Sequence, residues 1–411
     1  MLGRGVGERL LANPSTTLVD PAVVEVARSA DMFVLNLECC ISNRGRPFPD
    51  PRKPFFFRAP PVAAERLAEL GVDAVTVANN HALDFGADAL LDTIEHLRAA
   101  GIICVGAGPD ERAARLPAVL ERGGFRVRLV GASDHPRQYA AAAGQPGVAY
   151  AGLWDGPVPD WLIAAAHPGA DADAVLVTPH WGPNMQPEPV AHVRSAAATL
   201  IQAGATLVAG HSAHVFQGAA GRVLFDLGDF LDDYATDKEL RNDLGLLWIV
   251  TLDRDGPRRV EAYALVLDYC HTRFATANER RLVARLLSER CAALGTAVDV
   301  EGERLLVALG GGRTTCATRP VSAALGTAVD VEIERLLVAG RPTHHLRATR
   351  PSPRARRHPL RPERYTRSIS SAVCNEAALS GPFVTNDAAP EPTERSRSGR
   401  GRSPAAPVRV G

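Results

Sequence analysis

The stretch Ala74-Val75-Thr76-Val77-Ala78-Asn79-Asn80-His81 decides the fold: a short, largely β-branched apolar run that ends abruptly in two amides and an imidazole. A run of this length without polar alternation matches a strand buried on both faces, as in a parallel sheet, better than a helix. The same order recurs three times. Met32–Leu35 leads into Asn36-Leu37-Glu38, Ala174–Thr178 into His180-Trp181-Gly182, and Thr206–Ala209 into Gly210-His211-Ser212-Ala213-His214. In an α/β sheet ligand sites gather at the carboxyl edge of the strands, so the four polar clusters are expected to converge there.

Between these runs lie helical patterns with glycine stops, Pro60–Leu70 before Gly71, Ala87–Ala100 before Gly101 and Val190–Ala203 before Gly204. A glycine just past the last periodic residue is a common helix terminator. The alternation of strand and helix predicts an α/β layered domain. After His214 the spacing tightens to strands over Val223–Leu227, Leu246–Leu252 and Val260–Leu267, the last two joined by a turn at Asp253-Arg254-Asp255-Gly256, which predicts antiparallel pairing. A helix over Ala277–Leu294 is expected to pack on the outer face, and the domain to span residues 1–308.

With 411 residues and 46% hydrophobic content the chain can bury a full core, which excludes global disorder. Charge is distributed unevenly. Residues 340–411 carry 14 Arg, no Lys and 5 acidic residues, a net +9, so the rest of this formally neutral chain carries −9. An acidic body argues against a nucleic-acid footprint on the folded domain, and the Arg-, Pro- and Ser-rich end is expected to be a disordered tail. No apolar stretch approaches the length of a membrane helix and no signal region is visible, so a cytoplasmic location is expected of the sequence as written. Seven scattered cysteines form no CxxC pair, and Cys39-Cys40 reads first as packing. Residues 292–308 recur as 323–339 with a single difference, Gly302 against Ile333, and the segment 309–339 is read as a recent duplication, since two copies do not make a solenoid.

The clusters gather one carboxylate, one amide and four imidazoles, a mixed oxygen and nitrogen donor set that suits Mn, Fe or Zn. That points to a metal-dependent hydrolase. A lone histidine after a strand is ordinarily a packed or surface residue; four at strand ends beside a carboxylate and an amide reverse that expectation.

Asn36-Leu37-Glu38, Ala78–Gly86 (ANNHALDFG), His180-Trp181-Gly182, Gly210–Val215 (GHSAHV) and Asp226–Phe230 (DLGDF) together resemble the CapA family of capsule and poly-gamma-glutamate synthesis proteins, over about residues 1–270. The resemblance implies a calcineurin-like metallophosphatase sandwich with two divalent ions. It further implies metal ligation by Glu38, Asn80, His180, His211 and His214, with His81 as general acid and Asp84 orienting it; His81 and Asp84 could equally cap the following helix. The ordinary histidine pKa near 6.5 would suit the acid role.

Two departures accompany the resemblance. Relatives carry Gly-Asp just ahead of a segment like Met1–Arg4 (MLGR), so Met1 is expected to be an internal methionine, with a first strand, its ligand Asp and any membrane or export segment upstream. Ser212-Ala213 stands where many relatives have His-Pro, and Asp229 where many have Asn. Arg4, Arg58 and Arg194 are candidates for gripping an anionic polymer or phosphoester, with His135 of Ser133-Asp134-His135 as a further substrate contact. Trp181 is expected to wall off the metal. The acidic run Asp229, Asp232 and Asp233 reads either as an approach to the metal or as a solvated turn, with the turn preferred. His96, His192 and the pair His344-His345 are given no role. Capsule-synthesis proteins are the expected partners, and a non-catalytic accessory with a degenerate metal site is the alternative.

Overall fold

The computed structural model describes residues 1–308 and the backbone of the strand Val321–Leu325. The duplicated segment otherwise, and the basic tail, lie outside the described residues.

Two mixed sheets face each other. In the first, the strands Met32–Asn36, Ala74–Thr76 and Ile103–Val105 run parallel, and the antiparallel hairpin Leu244–Asp253 with Gly256–Asp268 lies on the far side of Val321–Leu325. In the second, Phe125–Ser133, Ala174–His180, Leu207–Ala209 and Val223–Leu224 run parallel. Side chains alternate across each strand, and the alternation sorts them between cores. Met32, Val34, Ala74, Leu129, Leu176, Leu207, Trp248 and Val250 fill the space between the sheets. Phe33, Leu35, Val75 and Ile249 face helices including Val62–Leu70 and Gly86–Ala99. Val130, Val175, Val177 and Val208 face the helices Asp160–Ala166 and Ala191–Ala203. The result is a layered α/β sandwich, as expected, with Gly71 and Gly204 closing their helices in the left-handed conformation.

Three details differ from the sequence reading. Val223–Leu224 joins the second sheet in parallel with Leu207–Ala209 rather than the later hairpin. The helix Ala277–Ala292 does not cover an outer face. Its buried residues Val283, Leu287 and Cys291 form one stripe at i, i+4 and i+8, narrow enough to enter the core between the sheets. Finally, the sheet takes in residues beyond 308: Val321–Leu325 pairs in parallel with Met32–Val34 and antiparallel with Trp248–Leu252.

Near their carboxyl edge the two sheets come into backbone contact. A Cβ on Gly106, at φ +82°, would stand 2.6 Å from Ala78 Cβ and 3.2 Å from Gly131 Cα; one on Gly131 would stand 2.6 Å from Thr76 Oγ1. Only hydrogen fits at either position, so backbone touches backbone next to Asn79 and Ser133. The substitution Gly106→Ala combines steric overlap with an unfavourable φ and is expected to lower stability by about 2–4 kcal/mol. Gly101→Ala, also at positive φ but with open space around it, should cost only about 1 kcal/mol; urea denaturation of the two variants measures the difference.

The helix Ala277–Ala292 opens with a Thr276/Glu279 capping box, and Arg273 beside Glu279 holds its carboxyl down to about 2. That stabilisation is present above pH 4.5, the ordinary glutamate value, and is lost as pH falls towards 2. Glu279→Gln is therefore expected to be less stable than the parent by about 1 kcal/mol at pH 7, with the gap closing below pH 3 in denaturation series across pH.

Candidate functional site

The sheet edges deliver the clusters together. Ala174–His180 ends with His180 opposite Ser133 in register, and an isolated bridge sets His180 against His211. On the first sheet, Asn79 ties two clusters to each other: its Nδ2 donates to Asn36 Oδ1 (3.0 Å) and Leu37 O (2.8 Å), while Asn36 Nδ2 donates to Glu38 Oε2 (2.9 Å). Glu38 is thereby fixed through one oxygen and keeps the other free. A cavity of about 70 Å³ is lined by Asn36, Glu38, His211, His214, Asp229 and Phe230, among others.

His81 is held on three sides. Its Nδ1 lies 2.7 Å from Asp84 Oδ2, Phe57 stacks on the ring at 3.9 Å between centroids, and its Nε2 lies 3.9 Å from Glu38 Oε1. Asp84 does not serve as a simple helix cap. It is fully buried and also accepts from Phe57 N–H (2.6 Å) and Tyr139 O–H (3.1 Å), with Lys53 Nζ 3.0 Å from its other oxygen. Burial pulls the His81 pKa below 6.5 against the opposing pull of Asp84, so the ordinary value expected from sequence does not apply. The neutral ring with its proton on Nδ1 satisfies Asp84 and turns Nε2 towards Glu38.

Across the cleft, His180 Nδ1 and His211 Nδ1 lie 2.8 Å apart, so one proton is shared between them. Burial drives both pKa values down, His211 to about 3, and each ring also suffers from a neighbouring imidazole; both are neutral at pH 7. His214 behaves in the opposite way. Burial would lower it, yet Asp229, 3.1 Å from its Nδ1, raises it to about 10. His135 sits 5.0 Å from His180, ring to ring, and is oriented by the buried Asp134, which also accepts from Gly182 N–H (3.0 Å) and lies 3.4 Å from His192 Nε2.

Glu38 Oε1, Asn80 Oδ1, His180 Nε2 and His211 Nε2 are all buried and have no hydrogen-bond partner. Buried polar atoms are nearly always paired, and four orphans of metal-ligating type at adjoining strand ends fit a divalent ion. Among the described residues no three His, Cys, Asp or Glu stand in metal-holding geometry; one of the four donors here is an asparagine, and the shared His180–His211 proton holds those rings against each other.

Several expectations change. The acidic run is not a solvated turn, for Asp229 holds His214 while Asp232 and Asp233 are buried. Burial and the Asp229 charge push Asp232 up to about 8. Trp181 packs in the core against Gly210, its Nε1 donating to Phe225 O (2.9 Å), and walls off nothing. Arg58 lies over the Phe85 ring at 4.1 Å and donates to Arg44 O, and Arg194 is exposed and donates to Pro189 O. Cys39 and Cys40 are fully buried, as the packing reading expected.

The sequence compares accordingly. The model of the bacterial capsule synthesis protein family PGA_cap matches residues 1–234. This chain belongs to that family. It is 32% identical over 271 residues to a probable polyglutamine synthesis accessory protein of Mycobacterium tuberculosis, an alignment covering 61% of this chain and 69% of that one. The capsule biosynthesis protein CapA of Bacillus anthracis is 30% identical over 175 residues (40% of this chain, 41% of that one), and the PGA biosynthesis protein CapA of Bacillus subtilis 26% over 239 residues (57% and 61%). As a capsule synthesis family member the chain contains no helix, among the described residues, long and apolar enough to cross a membrane.

Asp84 serves His81, Phe57, Tyr139 and Lys53 at once. Asp84→Ala strands Lys53 and the Phe57 N–H in a buried setting, and an expected loss of about 3–5 kcal/mol should appear as a lower urea midpoint; Arg98→Ala, an exposed pair with Glu95, should move it by less than about 0.5 kcal/mol.

Proposed function

We propose that this capsule synthesis family member is a metal-dependent hydrolase that cleaves a phosphoester, or an amide or ester of an anionic polymer, in capsule or poly-gamma-glutamate metabolism. The observation that carries the reading is the set of four buried, unpartnered donor atoms on Glu38, Asn80, His180 and His211.

Those four residues, with His214, would hold divalent ions of the Mn, Fe or Zn class. Bound there, such ions supply Lewis acidity and lower the pKa of water towards neutrality. The remaining work falls to the chain's own groups. The neutral imidazoles of His180 and His211 are joined Nδ1 to Nδ1, so one ring presents a free Nε2 lone pair and the other would give up its Nε2 proton on binding an ion. Asp229 fixes the ring of His214 by its Nδ1, and because the same carboxylate raises the ring's pKa to about 10, His214 would release its Nε2 proton on ligating an ion. Asp84 fixes the His81 tautomer, so Nε2 is the atom through which His81 exchanges a proton with the leaving group, and Phe57 keeps water off the face of that ring. His135, steered by Asp134, reaches the same edge as a substrate contact.

A second reading has its own support: the absence of a tight three-residue cluster among the described residues, and the word accessory in the name of the mycobacterial relative, favour a non-catalytic partner of a polymer synthase. Metal content separates the two. Full-length protein reconstituted with Mn, Fe or Zn and washed should retain metal by plasma mass spectrometry, and a double variant Asn80→Ala/His180→Ala should not. His81→Ala should keep the metal and lose about 10²–10⁴-fold in turnover of a phosphoester or γ-glutamyl substrate. Wild type that retains no metal makes the accessory reading the correct one.

A further inference from the structure

Arg4 occupies a site built with unusual care for a surface cation. It opens the helix Arg4–Ala12 between two closely surrounded glycines. A Cβ on Gly3 would lie 2.8 Å from Arg58 N, and one on Gly5 would lie 2.7 Å from Tyr269 Oη and 3.1 Å from Asp233 Oδ2. Arg4 itself has φ +46°, a conformation uncommon for any residue but glycine, and such strain clusters where function holds a side chain in place.

What is held is the inner part of the guanidinium. Asp233, only 1% exposed, accepts from Gly5 N–H at 2.7 Å and from Arg4 Nε at 3.2 Å through the same oxygen. Phe55, Phe57 and Tyr234 surround the group, with ring centroids 5.4, 5.8 and 5.9 Å from its central carbon. A structural arginine normally engages its carboxylate with two nitrogens, as Arg241 does with Asp243 at 2.7 and 2.8 Å. Arg4 uses Nε alone. Its side chain is 37% exposed, and no acceptor among the described residues takes its terminal nitrogens. The aromatic walls carry the location: Phe57 also stacks on His81, and Tyr234 lies edge-on to His214 at 5.1 Å.

We propose that Arg4 is the oxyanion receptor of this site, its two terminal nitrogens taking a carboxylate or phosphate of a ligand seated against His81 and His214, while Asp233 and the three rings hold it ready. The inference rests on the hydrolase reading only for the ligand being a substrate. Both oxyanion sources fit the planar fork, and the test separates them.

Titration calorimetry on the full-length protein uses two probes, a short γ-linked glutamate oligomer and phenyl phosphate. Wild type is expected to bind one or both at millimolar concentration or below, and the probe that binds identifies the source. Arg4→Ala should weaken that binding about 10–100-fold, and Arg4→Lys, which keeps the charge without the fork, by about fivefold or more; Arg98→Ala should change nothing. Arg4→Lys decides the matter where Arg4→Ala does not unfold cooperatively. Wild-type affinity in folded Arg4→Lys, or failure of wild type to bind either probe, overturns the proposal. Metal content measured on the same samples keeps the two readings apart. A metal-free protein that binds through Arg4 sinks the hydrolase and leaves Arg4 standing, whereas a metal-holding protein indifferent to Arg4 does the reverse.

Discussion

The contact of Gly106 with Ala78 and Gly131 is the constraint from which the site follows. Two sheets packed face to face ordinarily stand about 10 Å apart, separated by their side chains. Where both partners are reduced to a hydrogen, the backbones touch, and here they do so at the carboxyl edges. Asn79 and His81 leave one sheet and Ser133, Asp134 and His135 the other within a few residues of that point.

Convergence has an energetic consequence. An unpaired buried donor or acceptor costs about 1–3 kcal/mol, so four of them weigh on the order of the whole stability of a small domain. The chain limits the damage by neutralising what it can. His180 and His211 are driven to the uncharged form and share a proton, and Asp226 is pushed up to about 7 by burial while accepting from Ala213 and Gly228 N–H. The charges that stay are paired: Asp84 with Lys53, Asp229 with His214, Asp233 with Arg4. Among the described residues eight buried side-chain atoms stay without a hydrogen-bond partner; Arg66, His192, Asp232 and Asp233 hold one each, and Glu38, Asn80, His180 and His211, at the strand ends of the site, hold the other four.

The strands and the polar clusters were legible in the sequence because both are local: apolar runs mark buried strands, and the residue after each run sits at a known edge. Glu38, Asn80, His81, His180, His211 and His214 were singled out that way. Lys53, Tyr139 and Asp233 were not singled out for their roles, because each is defined by a partner distant in sequence, 55 residues for Tyr139 with Asp84 and 229 for Arg4 with Asp233. Arg4, Arg58 and Arg194 could not be told apart for the complementary reason, since a guanidinium looks the same in sequence whether it faces a cleft or an aromatic ring. The repeat makes the limit explicit. Ala292-Ala293-Leu294 closes a helix, while the identical Ala323-Ala324-Leu325 runs as a strand between Met32–Val34 and Trp248–Val250. Neighbours, not local propensity, decide between the two.

The charge balance of the donor set bears on what the site would accept. Glu38 is the single carboxylate among Glu38, Asn80, His180 and His211; the others are neutral, and the Asp229 charge is already met by His214. On the proposed reading, a divalent ion in that setting keeps much of its positive charge, in contrast to a site of several carboxylates that would cancel it. Excess positive charge in a buried cleft acts over a longer range than at the surface, because little water intervenes to screen it. Such a cleft draws oxyanions and disfavours cations, which is the selectivity that handling a polyanion or a phosphoester requires. The acidic body of the domain supplies the counterweight: with net negative charge elsewhere, an anionic chain is repelled from the general surface and is favoured only where the local field reverses.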